Sequence, residues 1–410
     1  MKINNKLKEI LEIKPVLIIL IIAIIPRLIS AIFAQGYAMH DDHFGPIEQP
    51  FQIINDPSFW ENRGEPHGHS IVYPAIHYYL FIFLNAIGLS HPQDKMLIVR
   101  LIHSLYSLLI VYFGFKITKE IADEKIAKKV GLLLGLLWFL PFMSVHNLVE
   151  MVCIPPLMAG SYSLIKANKT NRSYIFAGVM FAIAFIFRPQ TLVFPFSIAI
   201  ILLFQKHWRE SILMLLALFV FAFLTQGIVD WLAWGYPFAA FITYLNVENI
   251  YDYVTGPWYQ YIILITGVII PPISFFIYYG FIKNWKKSLI ILIPILLFFL
   301  FHSIYPNKQE RFILPIVPLL ITLGLSGWEI YISNSRFWLR QKKLLKAFWI
   351  WFWVVNSILL ITFSTTYSKK TRVEPLVYLS DKNVTGIIVS CGKIPDIQLP
   401  LFYLNKIVPI

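Results

Sequence analysis

Cysteine is nearly absent from this chain, with two in 410 residues: Cys153 in an apolar run and Cys391 in a polar tail. Surroundings so different make a disulfide between them unexpected, so cysteine gives no reading of redox compartment. Charge is scarce as well. Asp, Glu, Lys and Arg make up 14% of the residues against 58% hydrophobic. Soluble domains carry roughly 25% charged and 45–50% apolar residues, so a soluble fold is excluded. Acidic residues are the rarer sign, 22 against 35 Lys and Arg, which leaves a net charge of +13. In a soluble protein that excess would suggest nucleic acid, but in a polytopic membrane protein Lys and Arg gather in cytoplasmic loops and become an orientation signal. No internal repeat is evident, which weakens a transporter built on inverted repeats. No His-Glu-x-x-His helical spacing marks a zinc site either.

What the chain has in abundance is apolar runs near the ~20 residues needed to cross a bilayer core. They fall at 15–34, 96–118, 130–147, 148–165, 174–188, 189–204, 211–231, 259–282, 288–304, 312–331 and 347–367. A twelfth run, 71–89, breaks the pattern: if it crossed, the basic loops around Lys116–Lys129, Lys166–Arg172, Lys206/Arg209, Lys283–Lys287 and Arg336–Lys346 would all lie outside. The positive-inside rule therefore predicts that 71–89 lies at the outer surface, giving about eleven spans. Lys2, Lys6, Lys8 and Lys14 precede the first run, which lacks a small-residue cleavage motif and reads as a retained anchor with its N-terminus in the cytoplasm. The expected organisation is a transmembrane domain over 1–367, with an extended first outer loop at 35–95, and a small extracytoplasmic segment at 368–410. That segment carries β-prone runs at Leu376–Leu379 and Gly386–Ser390. It is too short for a core of its own, so it should pack on the membrane domain.

This topology gathers the unusual chemistry on one face. His40-Asp41-Asp42-His43 with Glu48 follows the first span, and acids beside a bilayer mark substrate or proton sites more often than decoration. Asp41 and Asp42 alternate in direction, so one of them suffices as a base. The competing reading is a solvated loop that also contains Asp56, Glu61 and Glu65. His40, His43, His67 and His69 with an aspartate offer a metal site as a weaker alternative. Asn147 and Glu150 sit at helical spacing near the outer end of a span, where a carboxylate should pair or bind something. Arg188 stands before Pro189, which limits helix continuation, with a snorkelling arginine as the plainer reading. Lys308 and Arg311, three apart on a side usually poor in positive charge, suit a phosphate. Aromatics of 232–258, Trp234 among them, read mostly as an interfacial belt, with one or two free to stack on sugars. Gly114, Gly131, Gly135, Gly160 and Gly178 read as helix-packing positions.

In register, His40-Asp41-Asp42-His43-Phe44 with Glu48, His69-Ser70 with Tyr73-Pro74, Ser144-x-x-Asn147-x-x-Glu150, Arg188-Pro189, Trp234-Gly-Tyr-Pro-Phe followed by Asn246, and His302-Ser303 with Lys308-x-x-Arg311-Phe312 resemble one family. It is the dolichyl-phosphate-mannose-dependent α-mannosyltransferases, glycosyltransferase family 22 of the GT-C superfamily, which includes the GPI mannosyltransferases. The tail run Ile388–Pro395 is similar to a cysteine-proline motif near the end of that family. The chain departs from the family in His40-Asp41-Asp42 for Pro-Asp-Glu, His69-Ser70 for Arg-Ser, and Asn307-Lys308-Gln309 for His-Lys-Glu.

The resemblance implies an all-α GT-C fold and inverting transfer of a sugar, mannose in that family, from a polyprenyl-phosphate donor to a glycan or glycolipid hydroxyl on the extracytoplasmic face. Asp41 is the expected base, with Asp42 and Glu48 orienting base or acceptor, and Lys308, Arg311 and Arg188 hold the donor phosphate. His69, Asn147, Glu150, Trp234, Asn246 and His302 are expected to contact acceptor or sugar. Two or three cations suffice for a monophosphate leaving group, so no metal is expected. A periplasm-facing site in a bacterial inner membrane fits the Ile/Lys/Asn-rich composition; in a eukaryote the same topology faces the endoplasmic reticulum lumen. Two alternatives remain: a flippase for a polyprenyl-linked sugar, and a GT-C transferase of another family with a different sugar.

Overall fold

The computed structural model describes residues 15–66, 68–246, 254–283, 288–389 and 398–409. Among them helices dominate and no strand forms; two isolated bridges, Gly36 with Ser368 and Thr255 with Asn307, are the only β-type pairings. The molecule is an integral membrane protein. Five unbroken helices are long and apolar enough to cross a bilayer: Pro15–Phe33, Pro92–Ile121, Trp208–Trp234, Glu310–Asn334 and Lys342–Ser364. Two bent pairs raise the number to seven. The remaining four expected spans fall on helices of 10–17 residues, Val149–Ile165, Asn171–Phe187, Pro189–Phe204 and Leu289–Ile304. Length and composition alone mark five to seven of the eleven expected crossings.

Helix Val317–Asn334 is the core of the bundle, buried on nearly every side, whereas Lys342–Ser364 exposes Ile350, Trp351, Val354, Ile358 and Ile361 at its edge. Small residues set the closest approaches, because apolar chains gain little from hiding in an already apolar solvent and must pack tightly instead. A Cβ added at Gly178 would lie 2.2 Å from the Met214 carbonyl oxygen of the neighbouring helix, and one at Gly280 would lie 1.9 Å from that of Gly324.

Both bent pairs free backbone groups that lipid cannot satisfy, and distant side chains supply the partners. Between Glu124–Leu136 and Phe139–Val145 the chain turns by 57°. Fully buried Arg27 donates to Gly135 O at 2.7 Å and to Leu134 O at 3.3 Å, while Asn356 donates to Leu136 O at 2.8 Å and accepts from Trp138 N at 3.0 Å. Arg27 also reaches Ser107 Oγ at 2.9 Å and Ala23 O at 3.0 Å, so a guanidinium inside a span serves the backbone. At the second break, of 116° between Gln260–Val268 and Ile273–Lys283, Trp138 Nε1 donates to Val268 O at 2.9 Å and Trp351 Nε1 to Pro271 O at 3.1 Å.

Within 71–89 the structure forms helix Val72–Ala86, below crossing length, which buries Tyr73, His77, Phe81 and Leu84 on one stripe and exposes Ile76, Tyr79, Ile82 and Phe83. The tail departs from the β-prone expectation. Leu376–Leu379 lies inside helix Lys370–Ser380, whose buried Val373, Leu376 and Ser380 follow a helical period. No partner strand lies there among the described residues, and the helix packs instead on the turn Leu401–Leu404. Tail residues Val373, Leu376, Phe402 and Tyr403 share one hydrophobic cluster with Phe51, Phe81, Met96 and Val99. Cys391 and most of the cysteine-proline run lie outside the described residues.

Candidate active site

Four segments far apart in sequence meet in one array around Arg311 and Glu150. The first loop contributes the short helix Asp41–His43. Arg311 Nη1 donates to Asp42 Oδ1 at 3.1 Å and Nη2 to Asp41 Oδ2, while Nε donates to Gln309 Oε1 at 2.9 Å. Glu150, from the short helix Val149–Val152, places Oε1 3.6 Å from Arg311 Nε and accepts from Arg188 Nη1 at 2.6 Å. Glu150 therefore ties two arginines into one array. Arg188 enters through its neighbour: Pro189 disfavours the helical conformation in the residue before it, and Arg188 is extended at φ −147°, ψ 104°. Helix Asn171–Phe187 ends there and the guanidinium turns inward over the Phe312 ring, 4.9 Å away.

Burial separates the two aspartates. The Asp41 side chain is 53% exposed, that of Asp42 is 3%. Burial, reinforced by Glu150 and Asp41 against Arg311, pushes the Asp42 carboxyl up to about 8. A carboxyl raised above its unfolded value of 3.8 stabilises the fold fully at low pH, and that contribution fades as pH rises through about 8. Thermal unfolding of the detergent-solubilised protein should therefore show the melting temperature falling between about pH 4 and pH 8. Asp42→Asn should flatten this fall, and an unchanged slope in the variant would refute the assignment.

Arg188 is the array's open end. Its Nε and Nη2 are buried without a partner among the described residues, as are Glu150 Oε2 and His302 Nε2. His302 donates from Nδ1 to Phe298 O at 2.9 Å, which leaves Nε2 as an unpaired acceptor. Lys308 behaves differently. Its ammonium donates to His302 O at 2.7 Å, Ser303 O at 2.9 Å and Tyr305 O, which uses all three N–H groups to close the end of helix Leu289–Ile304. Burial lowers the Lys308 pKa.

His69 retains accessible surface, yet enclosing protein lowers its imidazole pKa, with Asp41 and Glu150 opposing and Arg311 and Arg188 adding. Its neighbours are anchored. Gly68 lies against Tyr244, where a Cβ would meet the Tyr244 Cα at 3.3 Å. Tyr244 accepts from Gln190, next to Arg188-Pro189. Ser70 donates to Gln226, which donates to both Asp230 oxygens at 2.8 Å, and Asp230 accepts from Ala240 N at 3.1 Å. Gln226 and Asp230 were not singled out from sequence; the detectable signal was a lone acid inside an apolar span.

Other predicted residues stand apart from the Arg311 array. Glu48 accepts from Phe402 N at 3.0 and 3.1 Å and lies 3.3 Å from His43 Nε2, so it points into the tail and away from Asp41. His43 is stacked between Tyr37 and Tyr403, at ring separations of 4.7 and 5.1 Å. Trp234 neighbours Trp60, and Arg63 lies over that ring. Asn246 is exposed at the end of helix Ala239–Leu245. Asn147, whose Oδ1 is unpaired, sits beside His77 in a set with Tyr73 and His103, the last two joined at 2.9 Å. Among the described residues no group of three His, Cys, Asp or Glu side chains is arranged to hold a metal; His67 lies outside them.

A family comparison matches residues 18–385 of the chain. The chain belongs to the Alg9-like mannosyltransferase family. Within this Alg9-like group it is 24% identical over 340 residues to GPI alpha-1,2-mannosyltransferase 3 of Bos taurus, covering 78% of this chain and 60% of that protein. The Homo sapiens protein of the same name is 21% identical, over 73% of this chain and 55% of its own length. The chain thus spans under two thirds of these relatives. Its fold is that of a crystal structure of ArnT from Cupriavidus metallidurans bound to undecaprenyl phosphate, with a TM-score of 0.64 at 13% identity over 96% of this chain and 85% of that one. The archaeal oligosaccharyltransferase AglB from Archaeoglobus fulgidus, in complex with an inhibitory peptide and a dolichol-phosphate, is similar at a TM-score of 0.54 and 12% identity, over 91% of this chain and 58% of that one. The Alg9-like chain therefore has the GT-C fold, as its motifs implied.

Proposed function

We propose that this protein is an inverting mannosyltransferase that moves mannose from a polyprenyl-phosphate donor to a hydroxyl of a glycan or glycolipid, on the extracytoplasmic face of its membrane. The observation that carries the reading is one connected array: an accessible carboxylate at Asp41 is joined through Arg311 and Glu150 to Arg188, whose Nε and Nη2 have no partner among the described residues. Two adjacent N–H groups of a guanidinium suit two oxygens of a phosphate. Family membership and the lipid phosphates bound by the ArnT and AglB structures support a lipid-linked donor.

In the proposed step the acceptor oxygen attacks C1 of the sugar from the face opposite the phosphate. The C1–O bond to the acceptor forms as the C1–O bond to phosphate breaks, and the acceptor proton passes to Asp41. The polyprenyl phosphate leaves on Arg188, and the unpaired His302 Nε2, an acceptor, is open to a sugar hydroxyl. Arg311 and Glu150 are positioning residues. Asp42 backs Asp41, and Lys308 shapes the loop that presents Arg311. Guanidinium charge serves a monophosphate without a divalent ion. His69 and Asn147 remain the proposed acceptor-side contacts, with Trp234 and Asn246 farther along the same loops.

Purified protein supplied with polyprenyl-phosphate mannose and a glycolipid acceptor should form an α-mannosylated product at a rate unaffected by EDTA. Absence of product across mannose acceptors, with transfer from another polyprenyl-phosphate sugar, would replace mannose in this reading. A metal requirement would overturn the charge argument. Arg188→Lys keeps the charge but loses the fork, and is expected to raise the donor KM about 10- to 100-fold with a smaller change in kcat. An unchanged donor KM would move the phosphate elsewhere.

A further inference from the structure

Every buried Lys or Arg side chain in the described residues is spent on a protein partner except one. Arg27 and Lys308 hold carbonyls, Arg100 donates to Ala31 O at 2.7 Å, and Arg188 and Arg311 hold carboxylates. Lys95 is 5% exposed, and among the described residues no carboxylate approaches its ammonium and no acceptor bonds to it. An ammonium partly withdrawn from water beside a cavity, with no carboxylate partner, favours a ligand that supplies the counter-charge.

Lys95 lines a cavity of about 260 Å³ between the first-loop helix Gln49–Asn55, helix Val72–Ala86 and the tail turn. Asn55, Asn85, Ser90 and Asn405 give it amide and hydroxyl walls, and Phe402 closes one side. None of these belongs to the Arg311 array. The cavity also meets the first turn of the 30-residue helix Pro92–Ile121, where His91 supplies no side-chain cap. Free N–H groups and the helix dipole at such a terminus favour an anion. Asp94, in that turn, is exposed and not among the lining residues. The volume is just below the roughly 300 Å³ at which small-molecule pockets begin, which suits a headgroup-sized ligand.

We infer that this cavity binds a phosphate group carried on a hydroxylated headgroup, with Lys95 as counter-ion and the surrounding amides and Ser90 reading the hydroxyls. The source of the phosphate, a soluble ester or a membrane lipid, follows from the probe that binds. The full chain, purified in a phosphate-free maltoside detergent, is titrated with glycerol 3-phosphate, with phosphatidylglycerol, and with diacylglycerol as the phosphate-free control, following the melting temperature. Arg188→Met is titrated alongside, so that binding at the Asp41–Arg188 array is counted separately.

Saturable stabilisation that survives in Arg188→Met and weakens at least about tenfold in Lys95→Met is the expected result. Glycerol 3-phosphate binding identifies a soluble ester, and binding of phosphatidylglycerol alone identifies a lipid headgroup. Asn85→Leu changes an exposed wall residue and should weaken the same binding severalfold, a readout available even if Lys95→Met fails to fold. Wild-type affinity in both variants, stabilisation by diacylglycerol equal to that by phosphatidylglycerol, or no saturable effect of either phosphate probe would overturn the inference.

Discussion

Asp41→Asn is expected to lower kcat by about 10²–10⁴-fold, the range for losing a positioned general base, while leaving the donor KM and the melting temperature near wild type. The exposed Asp41 side chain has one oxygen on Arg311 and the other available to an acceptor hydroxyl. An amide of the same shape keeps the contact with Arg311 but cannot take a proton. Asp42→Asn supplies the contrast. Its carboxyl is buried and pushed up to about 8, so at neutral pH the amide resembles the form already present, and a much smaller loss is expected. Kinetics of both variants under saturating donor decide between the two acids. Full activity in Asp41→Asn with loss in Asp42→Asn would reverse their roles.

Arg311→Met should be the most damaging single change. The guanidinium contacts Asp41, Asp42 and Glu150 while 7% exposed, and its removal leaves the Asp41 and Glu150 carboxylates and the buried Asp42 carboxyl with only Arg188 beside them. Breaking a buried ion pair costs about 3–5 kcal/mol, and turnover should fall with it, by at least about 10²-fold. Arg311→Lys should rescue little, because one ammonium cannot span the fork that reaches both aspartates and Gln309. Stability and activity can be separated by neutralising the partners: Arg311→Met combined with Asp42→Asn and Glu150→Gln should regain much of the melting temperature without regaining turnover. A single Arg311→Met variant of wild-type stability would show that the carboxylates do not depend on it.

The motif order placed Asp41 and Arg311, 270 residues apart, in one site, and an ion pair joins them there. Arg188 is the clearest case: the proline after it fixes the extended backbone that turns it inward. Glu48 was less legible. In a continuous α-helix, positions 41 and 48 would share a face, seven residues apart. The wide π-turn at Phe44–Glu48 removes that register and sends the Glu48 carboxylate to the Phe402 amide. Lys308 has the spacing of a phosphate ligand, but three free carbonyls at the end of its own preceding helix compete for the same ammonium, and no spacing rule records that competition. The broken spans could not be read at all, since the break after Leu136 is held open by Arg27 and Asn356, one from each end of the chain. Leu376–Leu379 misled for the opposite reason: a local β preference carries no weight without a strand to pair with.

The most direct test of the account is a structure of this protein with a phosphonate analogue of polyprenyl-phosphate mannose, in which a carbon bridge replaces the scissile oxygen. The phosphonate oxygens should lie within hydrogen-bond reach of Arg188 Nε and Nη2, with the sugar C1 between them and Asp41. A phosphonate bound away from Arg188, with Asp41 outside reach of the face of C1 opposite the phosphorus, would contradict the account.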